Sequence, residues 1–271
     1  MQQMQRVFRS MAPMFDLSAS YYAFDDINHT VVDALARVRR EAPAARSVLD
    51  VGCGRGRLGG AIRKLGFGVT GIERHGDALQ MARQRLDEVL AADLADEEAV
   101  AAALGGRRFD VMLFADVLEH VADPLRVLRR YRRFLAPGGR VVISLPNIAS
   151  WDRRLALLVG RFDYADSGVM DRTHLRFFTF RTAQILVREA GLAVLAVDHA
   201  PGIVRPFLPL IKRFFAGSES GAAPDPEAIL RSPAYRLYER WLLPAEYGVA
   251  RLWRGLLAFR IVIVAAADAS G

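Results

Sequence analysis

Val48-Leu-Asp-Val-Gly-Cys-Gly-Arg-Gly56 is the stretch of this 271-residue sequence that decides the fold. A short apolar strand, 47–51, runs directly into three glycines that alternate with other residues. Glycine lets the backbone turn tightly and approach a ligand closely. A dinucleotide-binding loop has its third glycine one position later, where this chain has Arg57. A pyrophosphate site uses the bare helix N-terminus, whereas Asp50 at the mouth of this loop suits a ligand with hydroxyl or cationic groups.

Strands and helices alternate along the chain beyond this loop. We predict strands at 47–51, 68–72, 109–114, 140–145, 192–198 and 259–266, and helices at 58–65, 77–90, 123–135 and 179–190. Such an alternation is typical of βαβ units, which form a mostly parallel sheet covered on both faces. Ligands of these sheets bind outside the carboxyl ends of the strands. We therefore expect the functional residues just after the strands that end at 51, 72, 114 and 145.

Composition limits the class of protein. Hydrophobic residues make up 52% of the chain, which allows a sizeable core, and the one cysteine excludes a disulfide framework. No signal peptide and no uncharged apolar stretch of about 18 residues is visible, which predicts a cytoplasmic protein.

The net charge of +7 is concentrated in one part of the chain. Nine arginines fall between positions 123 and 161, namely 126, 129, 130, 132, 133, 140, 153, 154 and 161. One reading is a solvated helix face. The other is a surface for the phosphates of nucleic acid or of anionic lipid.

Four further motifs follow the glycine loop along the chain. Glu73 lies 21 residues after Gly52, where an acidic side chain can accept both hydrogens of a ribose diol. Ala92-Asp93-Leu94 offers a carboxylate to an adenine amino group. The apolar strand from Phe109 runs into Asp116, Glu119 and His120, and the fifth motif is Leu135-Ala-Pro-Gly-Gly-Arg-Val-Val-Ile143.

With these motifs in this order and spacing, residues 46–198 resemble the cofactor-binding core of class I S-adenosylmethionine (SAM)-dependent methyltransferases. The resemblance implies an α/β, Rossmann-like doubly wound sheet of seven strands. The sheet would be mostly parallel, with an antiparallel last strand at 259–266 after a helical insertion. It also implies SAM as cofactor and S-adenosylhomocysteine (SAH) as product. The residues that it assigns to the cofactor are Asp50, Gly52, Cys53, Gly54, Gly56, Glu73, Arg74, Asp93, Leu94, Ala115 and Asp116.

The same resemblance divides the chain into four parts. Residues 1–45 form a helical lead-in, and 46–200 form the methyltransferase core. Residues 201–258, which we call the insertion, are predicted to be helical. Residues 259–271 are the last core strand and the tail.

A narrower resemblance begins after the strand that ends at 145. Leu145-Pro-Asn-Ile148, Trp151-Asp-Arg-Arg154 and residues 168–179 look like a bacterial subgroup of methyltransferases. Its members are linked to polysaccharide and glycolipid assembly, or resemble methionine-pathway and ubiquinone-type O-methyltransferases. This implies an oxygen acceptor on a small molecule, a sugar or a lipid-linked glycan. The alternatives are an RNA methyltransferase and a SAM-binding protein without catalysis.

The candidate catalytic residues follow from the chemistry of methyl transfer to oxygen. An alcohol nucleophile gains from a general base, and histidine suits that role near neutral pH. His174 is the first candidate, with Asp171 or Thr173 to orient its ring, and His120 is the second. Asp116 is the third residue that we place in the catalytic set. Glu119 and His120 could hold a metal ion, but the sequence shows no full ligand set, so we predict none.

The insertion offers two readings. Residues 203–215 are apolar and aromatic with three basic residues and no acid, and tyrosines and tryptophans follow up to 253. Such a segment either caps the core or a second copy of the chain, as in a homodimer, or rests on an anionic membrane surface. The second reading would place the enzyme at the inner face of the membrane.

Overall fold

The computed structural model describes residues 27–203 and 238–267. The first part contains α1 (His29–Glu41), β1 (Ser47–Val51), α2 (Arg57–Arg63), β2 (Gly68–Glu73), α3 (Gly76–Arg83), β3 (Glu88–Ala91), α4 (Glu97–Leu104) and β4 (Phe109–Ala115). It continues with α5 (Pro124–Tyr131), β5 (Leu135–Pro146), α6 (Trp151–Leu158), α7 (Phe180–Glu189) and β6 (Leu192–Pro201). The second part contains a π-helix (Tyr238–Leu242), α8 (Leu243–Leu252), α9 (Arg254–Leu257) and β7 (Ala258–Ala267).

One seven-stranded sheet organises the fold, in the order β3-β2-β1-β4-β5-β7-β6. The pairs β1–β2, β1–β4, β2–β3 and β4–β5 are parallel. Strand β7 runs antiparallel to β5 over Arg140–Pro146. The predicted seven-stranded, mostly parallel sheet with an antiparallel last strand is therefore confirmed. Strands β1 and β4, at the centre, lie where the direction of winding reverses, which is where such sheets bind ligands.

Both faces of the sheet are covered, as the continuous apolar character of its strands predicts. On β4, Met112 and Phe114 belong to the apolar cluster on one face, and Val111 and Leu113 belong to the cluster on the other face. The ends of the central strands are therefore fixed by packing on two sides.

One predicted helix is wrong in its extent. We expected a helix from 77 to 90, but α3 ends at Arg83 and residues Glu88–Ala91 form β3 at the edge of the sheet. The strand is held by β2: just before β3, the Asp87 N–H donates to the Val69 carbonyl at 3.1 Å, and the Asp87 side chain accepts the Val69 N–H at 2.8 Å. A four-residue strand has too short a pattern to be recognised without its partner. Similarly, β5 starts at Leu135 and includes residues 137–139, which we expected to form a turn.

The chain divides into two compact units. Among the described residues, the larger comprises 27–147, 173–200 and 260–267, and the smaller comprises 148–172, 201–203 and 238–259. Most of the lead-in (1–26), most of the insertion (204–237) and the last four residues lie outside the described residues. In the described ranges, no helix has both the length and the apolar character needed to cross a membrane.

Candidate active site

The glycine loop between β1 and α2 has the backbone geometry that its sequence predicts. Gly52, Gly54 and Gly56 all have positive φ, at 72°, 53° and 73°. A Cβ at Gly52 would lie 2.8 Å from the Val117 side chain, and a Cβ at Gly56 would lie 2.9 Å from the Cα of Ala82. A Cβ at Gly54 would meet nothing within 4 Å. Two glycines therefore serve packing, and Gly54 faces open space beside the loop.

Glu73 joins the end of β2 to this loop. Its Oε2 accepts the N–H of Gly54 at 2.9 Å, and its Oε1 accepts the N–H groups of Arg74 and His75 at 2.8 and 2.9 Å. The side chain is only 9% exposed. Oε1 thus already accepts two hydrogen bonds, and Oε2 can accept a second one. Glu73, which the resemblance assigns to the ribose, therefore also holds the glycine loop in place, a role that the sequence did not indicate.

Asp50 is deeply buried, at 2% exposure. Its Oδ2 has no hydrogen-bond partner. Burial, and then the negative charge of Glu73, raise the pKa of Asp50 to about 7. Burial also raises the pKa of the neighbouring Cys53 thiol. A thiol kept in its neutral form acts as packing in the loop and not as a nucleophile.

The residues assigned to the adenine end lie beyond β2 and β3. Asp93 accepts the N–H of Ala95 at 2.9 Å and pairs with the Arg74 guanidinium at 2.7 Å. The hydrogen bond from Ala95, followed by that from Arg74, outweighs partial burial and lowers the pKa of Asp93. Leu94 is half-buried, and its carbonyl accepts the hydroxyl of Tyr131 at 3.3 Å. Arg74 and Asp93 therefore act as a pair.

Asp116, directly after β4, has an unusual backbone. Its φ is 54°, the only positive value at a non-glycine residue in the described part of the chain. Such a conformation costs on the order of 1–3 kcal/mol and persists only where the surroundings hold it. The carboxylate accepts the Ser144 hydroxyl at 2.7 Å and pairs with Arg260 at 2.9 Å. Ala115, the preceding residue, is half-buried.

These residues fit the cofactor that the resemblance implies. The positive φ angles form a cradle that only glycine occupies without strain, and the open side of Gly54 leaves room for a ligand. The unsatisfied Oδ2 of Asp50 is a polar group that a ligand with a hydroxyl or ammonium group would complement after rearrangement. Nothing in this donor and acceptor set conflicts with a nucleoside that carries an amino-acid chain.

The candidate catalytic histidines lie together. The rings of His120 and His174 are edge to face, with centroids 4.7 Å apart. His120 is exposed, whereas His174 is 4% exposed. The Oγ1 of Thr173 lies 3.0 Å from the ring Nδ1 of His120. From the sequence, we expected Asp171 or Thr173 to orient the ring of His174. The backbone of Leu175 and Arg176 donates to the carbonyl of Glu119 and fixes the two segments side by side.

Glu119 completes a group that the sequence did not reveal. Glu119, His120 and His174 each offer one ligand atom, and these atoms lie within 4.8 Å of one another. Carboxylate and imidazole are metal ligands. The third ligand was missed because His174 lies 54 positions after His120, so that only folding brings it to the Glu119–His120 pair.

The nine arginines between 123 and 161 are largely engaged by the protein itself. Arg129 and Arg132 donate to carbonyls of Glu189 and Gly191, at the end of α7. Arg126, Arg130 and Arg133 surround Glu97 at 3.8, 3.1 and 3.6 Å. The other four also have hydrogen-bond or ion-pair partners, namely Gly138 and Gly139 for Arg140, Asp152 for Arg153, Ala149 for Arg154 and Asp163 for Arg161. Much of this basic stretch therefore has a structural role.

Comparison with known proteins gives one family and several relatives. A family model described as a methyltransferase domain matches residues 22–197. The ubiquinone biosynthesis O-methyltransferase of Cereibacter sphaeroides is 34% identical over 148 residues, which are 54% of this chain and 59% of that protein. The chain thus spans less than two thirds of the length of this relative.

Solved structures share the fold. The CcbJ methyltransferase of Streptomyces caelestis matches with a TM-score of 0.52 and 18% identity, covering 88% of this chain and 90% of that one. A SAM-dependent methyltransferase of Archaeoglobus fulgidus matches with a TM-score of 0.50 and 19% identity, covering 87% and 93%. At these identities the likeness concerns the fold.

Proposed function

The chain belongs to the methyltransferase domain family and has the fold of SAM-dependent methyltransferases, and on that premise we propose that it transfers a methyl group from SAM to an oxygen atom of an acceptor. The acceptor is a small molecule, a sugar or a glycolipid. The observation that carries the proposal is the cradle of Gly52, Gly54 and Gly56 braced by Glu73. The oxygen acceptor is supported by the similarity to a ubiquinone biosynthesis O-methyltransferase.

SAM supplies a methyl group on a sulfonium, which is already activated for displacement. The protein then has to align the acceptor oxygen with that methyl group and exclude competing geometries. In the proposal, the loop 50–56 holds the methionine part, Glu73 holds the ribose, and Arg74, Asp93 and Leu94 border the adenine. Ala115 and Asp116 border the sulfonium end. The positions of these residues at the carboxyl ends of β1, β2 and β4 support the assignment.

His120 is the better candidate for the general base. A base has to reach the proton that it removes, and His120 is exposed while His174 is buried. The contact with Thr173 at Nδ1 leaves Nε2 as the nitrogen that faces other partners. His174 then acts by packing against the His120 ring. This reverses the order that we gave the two histidines from the sequence.

The grouping with Glu119 supports a second route: Glu119, His120 and His174 would hold a divalent cation, which would supply Lewis-acid chemistry at the acceptor oxygen. The two routes differ in their response to chelation. For the general base, we expect turnover to survive dialysis against EDTA. Loss of turnover that Mg²⁺, Mn²⁺ or Zn²⁺ restores would instead assign the three side chains to a metal ion.

The alternative functions have less support. For an RNA methyltransferase, the arginine-rich stretch was the main argument, and its side chains have protein partners. For a SAM-binding protein without catalysis, the contact that Thr173 makes with the exposed His120 would serve no reaction.

A radiolabelled-methyl transfer assay tests the proposal. The full chain is incubated with labelled SAM and a bacterial lysate, and products are separated into small-molecule, glycan, lipid and RNA fractions. We expect label in one of the first three fractions and none with the His120→Ala variant. Label confined to RNA would support the RNA alternative, and no label despite SAH binding would support the non-catalytic one.

We further propose that the smaller unit contacts an anionic membrane surface, which suits a lipid-linked acceptor. Exposed apolar side chains accumulate there, among them Leu158 at 82%, Leu252 at 86% and Trp253 at 62%. Exposed Arg251 and Arg254 lie beside them in sequence. Aromatic and basic side chains together favour an anionic interface. The alternative is that the same side chains pack in a homodimer.

Vesicle binding separates these two readings. At low salt, we expect the protein to co-sediment with vesicles containing phosphatidylglycerol and not with phosphatidylcholine alone. The double variant Leu252→Ser with Trp253→Ser should lose this binding. A stable dimer in sedimentation analysis, with no vesicle binding, would favour the dimer.

A further inference from the structure

The carboxylate of Asp116 is the end point of a chain of buried polar contacts. The Asn28 amide donates to the Ser144 hydroxyl at 2.9 Å, and that hydroxyl donates to Asp116 Oδ1 at 2.7 Å. Arg260 holds the other carboxylate oxygen, with 2.9 Å between Nη2 and Oδ2. Asn28 is 6% exposed and Ser144 is 0% exposed. Asp116 is thus fixed at both of its oxygens.

The direction of these hydrogen bonds is determined by a second role of Asn28. As the N-cap of α1, Asn28 accepts the Val31 N–H with its Oδ1 at 3.3 Å. Its other amide atom, Nδ2, is therefore the group that faces Ser144, and it can only donate. Because Ser144 accepts from Asn28, its own hydrogen is available to Asp116. The same residue thus caps a helix and orients a hydroxyl 116 positions away.

The backbone of Asp116 depends on these contacts. Its φ of 54° is strained for a residue with a side chain, and its N–H donates to the Ser144 carbonyl at 3.1 Å. The next residue, Val117, packs against Gly52. A Cβ added at Gly52 would lie only 2.8 Å from the Val117 side chain. The conformation of Asp116 therefore also sets the contact between residues 115–117 and the glycine loop.

We propose that Asn28, Ser144 and Arg260 are positioning residues that hold the strained turn at Asp116 against the glycine loop, and so fix the methyl-transfer end of the cofactor site. This inference rests on the proposed function. In sequence, Asn28 lies in the lead-in and Arg260 lies two positions after the insertion. The chain of contacts therefore joins a residue of the lead-in and a residue of the last strand to Asp116.

A double-mutant cycle on the full chain tests this, with SAH affinity measured by calorimetry. SAH is uncharged at sulfur, so its affinity reports on the position of the turn more than on charge at the sulfonium. We expect Ser144→Ala and Arg260→Met each to weaken SAH binding by about 10-fold, the size of a hydrogen bond to a charged group. Arg260→Lys, which keeps the charge, should recover part of the loss.

The second arm of the cycle starts from Asp116→Gly. Glycine adopts a positive φ without strain and removes the carboxylate. In that background, Ser144→Ala and Arg260→Met should each change SAH affinity by less than about 2-fold, because their shared partner is gone. Asn28→Asp keeps an N-cap oxygen but replaces the donor that faces Ser144. It should behave like Ser144→Ala in both backgrounds.

Arg37→Met serves as the matched control, since Arg37 pairs with Asp198 in the same unit at 2.5 Å. It should leave SAH affinity unchanged. Equal effects of Ser144→Ala in the two backgrounds would overturn the positioning role while leaving the proposed function intact. A wild-type chain that fails to bind SAH would overturn both.

Discussion

The carboxylate of Glu73 and the backbone N–H of Gly54 are 2.9 Å apart, so the end of β2 holds the glycine loop of β1 in place. The same side chain accepts two further N–H groups, from Arg74 and His75. The acid that we assigned to the ribose from its distance along the chain is therefore needed for the shape of the loop as well.

Replacing Glu73 should affect both ligand binding and stability. We expect Glu73→Ala to weaken SAH binding by at least about 10-fold and to lower the free energy of unfolding by about 1–3 kcal/mol, because buried N–H groups lose their acceptor. Calorimetry with SAH and urea denaturation measure the two effects. Glu88→Gln, at an exposed ion pair of the neighbouring strand, is the control and should change neither much. Normal SAH affinity in Glu73→Ala would contradict the assignment.

Two glycines of the loop should respond differently to alanine. Gly54→Ala should weaken SAH binding strongly while costing about 1–2 kcal/mol of stability, because its Cβ enters open space from a left-handed backbone. Gly56→Ala should cost more stability, since its Cβ meets the Cα of Ala82 at 2.9 Å.

Gly76→Ala is the matched control for this pair, because a Cβ there meets nothing within 4 Å and its φ is not positive. Thermal unfolding and SAH titration of the three variants provide the measurement. If Gly54→Ala and Gly76→Ala bound SAH equally well, the open side of Gly54 would not be the ligand site.

The histidine pair should separate into a reacting and a supporting member. We expect His120→Ala to lower kcat by about 10²–10⁴-fold with little change in SAH affinity. Thr173→Val should lower kcat by about 10-fold, because it removes the contact to His120 Nδ1. His174→Ala should chiefly lower the melting temperature, since it empties a buried position. Near-normal turnover of His120→Ala, together with an inactive but folded His174→Ala, would instead identify His174 as the general base.

Asp50 should make stability depend on pH in an unusual direction. Burial followed by the charge of Glu73 raises its pKa in the folded state to about 7, from an ordinary value of 3.8. Between these two pH values the folded state binds more protons than the unfolded state, so this contribution to stability falls as the pH rises. Asp50→Asn removes that dependence. We expect Asp50→Asn to gain stability relative to the wild type between pH 5 and pH 8 in urea denaturation without ligand.

Asp110 provides the opposite case as a control. Burial raises its pKa, but hydrogen bonds from the backbone of Arg46 and from Ser47 outweigh that effect and lower it. Its contribution is therefore present at neutral pH and lost as the pH falls through the folded-state pKa. Asp110→Asn should lose stability at neutral pH and approach the wild type in acid. Parallel pH curves for the wild type and Asp50→Asn would contradict the first expectation.

The sequence by itself determined the features that lie within short stretches of chain. The glycines at 52, 54 and 56 follow an apolar strand directly, and glycine has the steric freedom for the positive φ that they adopt. The alternation of apolar segments predicted six of the seven strands, and the resemblance implied the antiparallel direction of the last one. The order of the motifs identified the class of cofactor, because each of them is contiguous.

Tertiary structure decided what depends on residues that are distant along the chain. Strand β3 exists because β2 lies beside it, and a four-residue segment carries too little periodicity to show this. Thr173 meets His120 across 53 positions, and Ser144 and Arg260 meet at Asp116 across 28 and 144 positions. Such contacts are set by how the strands and the segments after them pack, and their distances and exposures exist only in the folded chain. For this reason the contacts of His120, Asp116 and the arginines could come only from the structure.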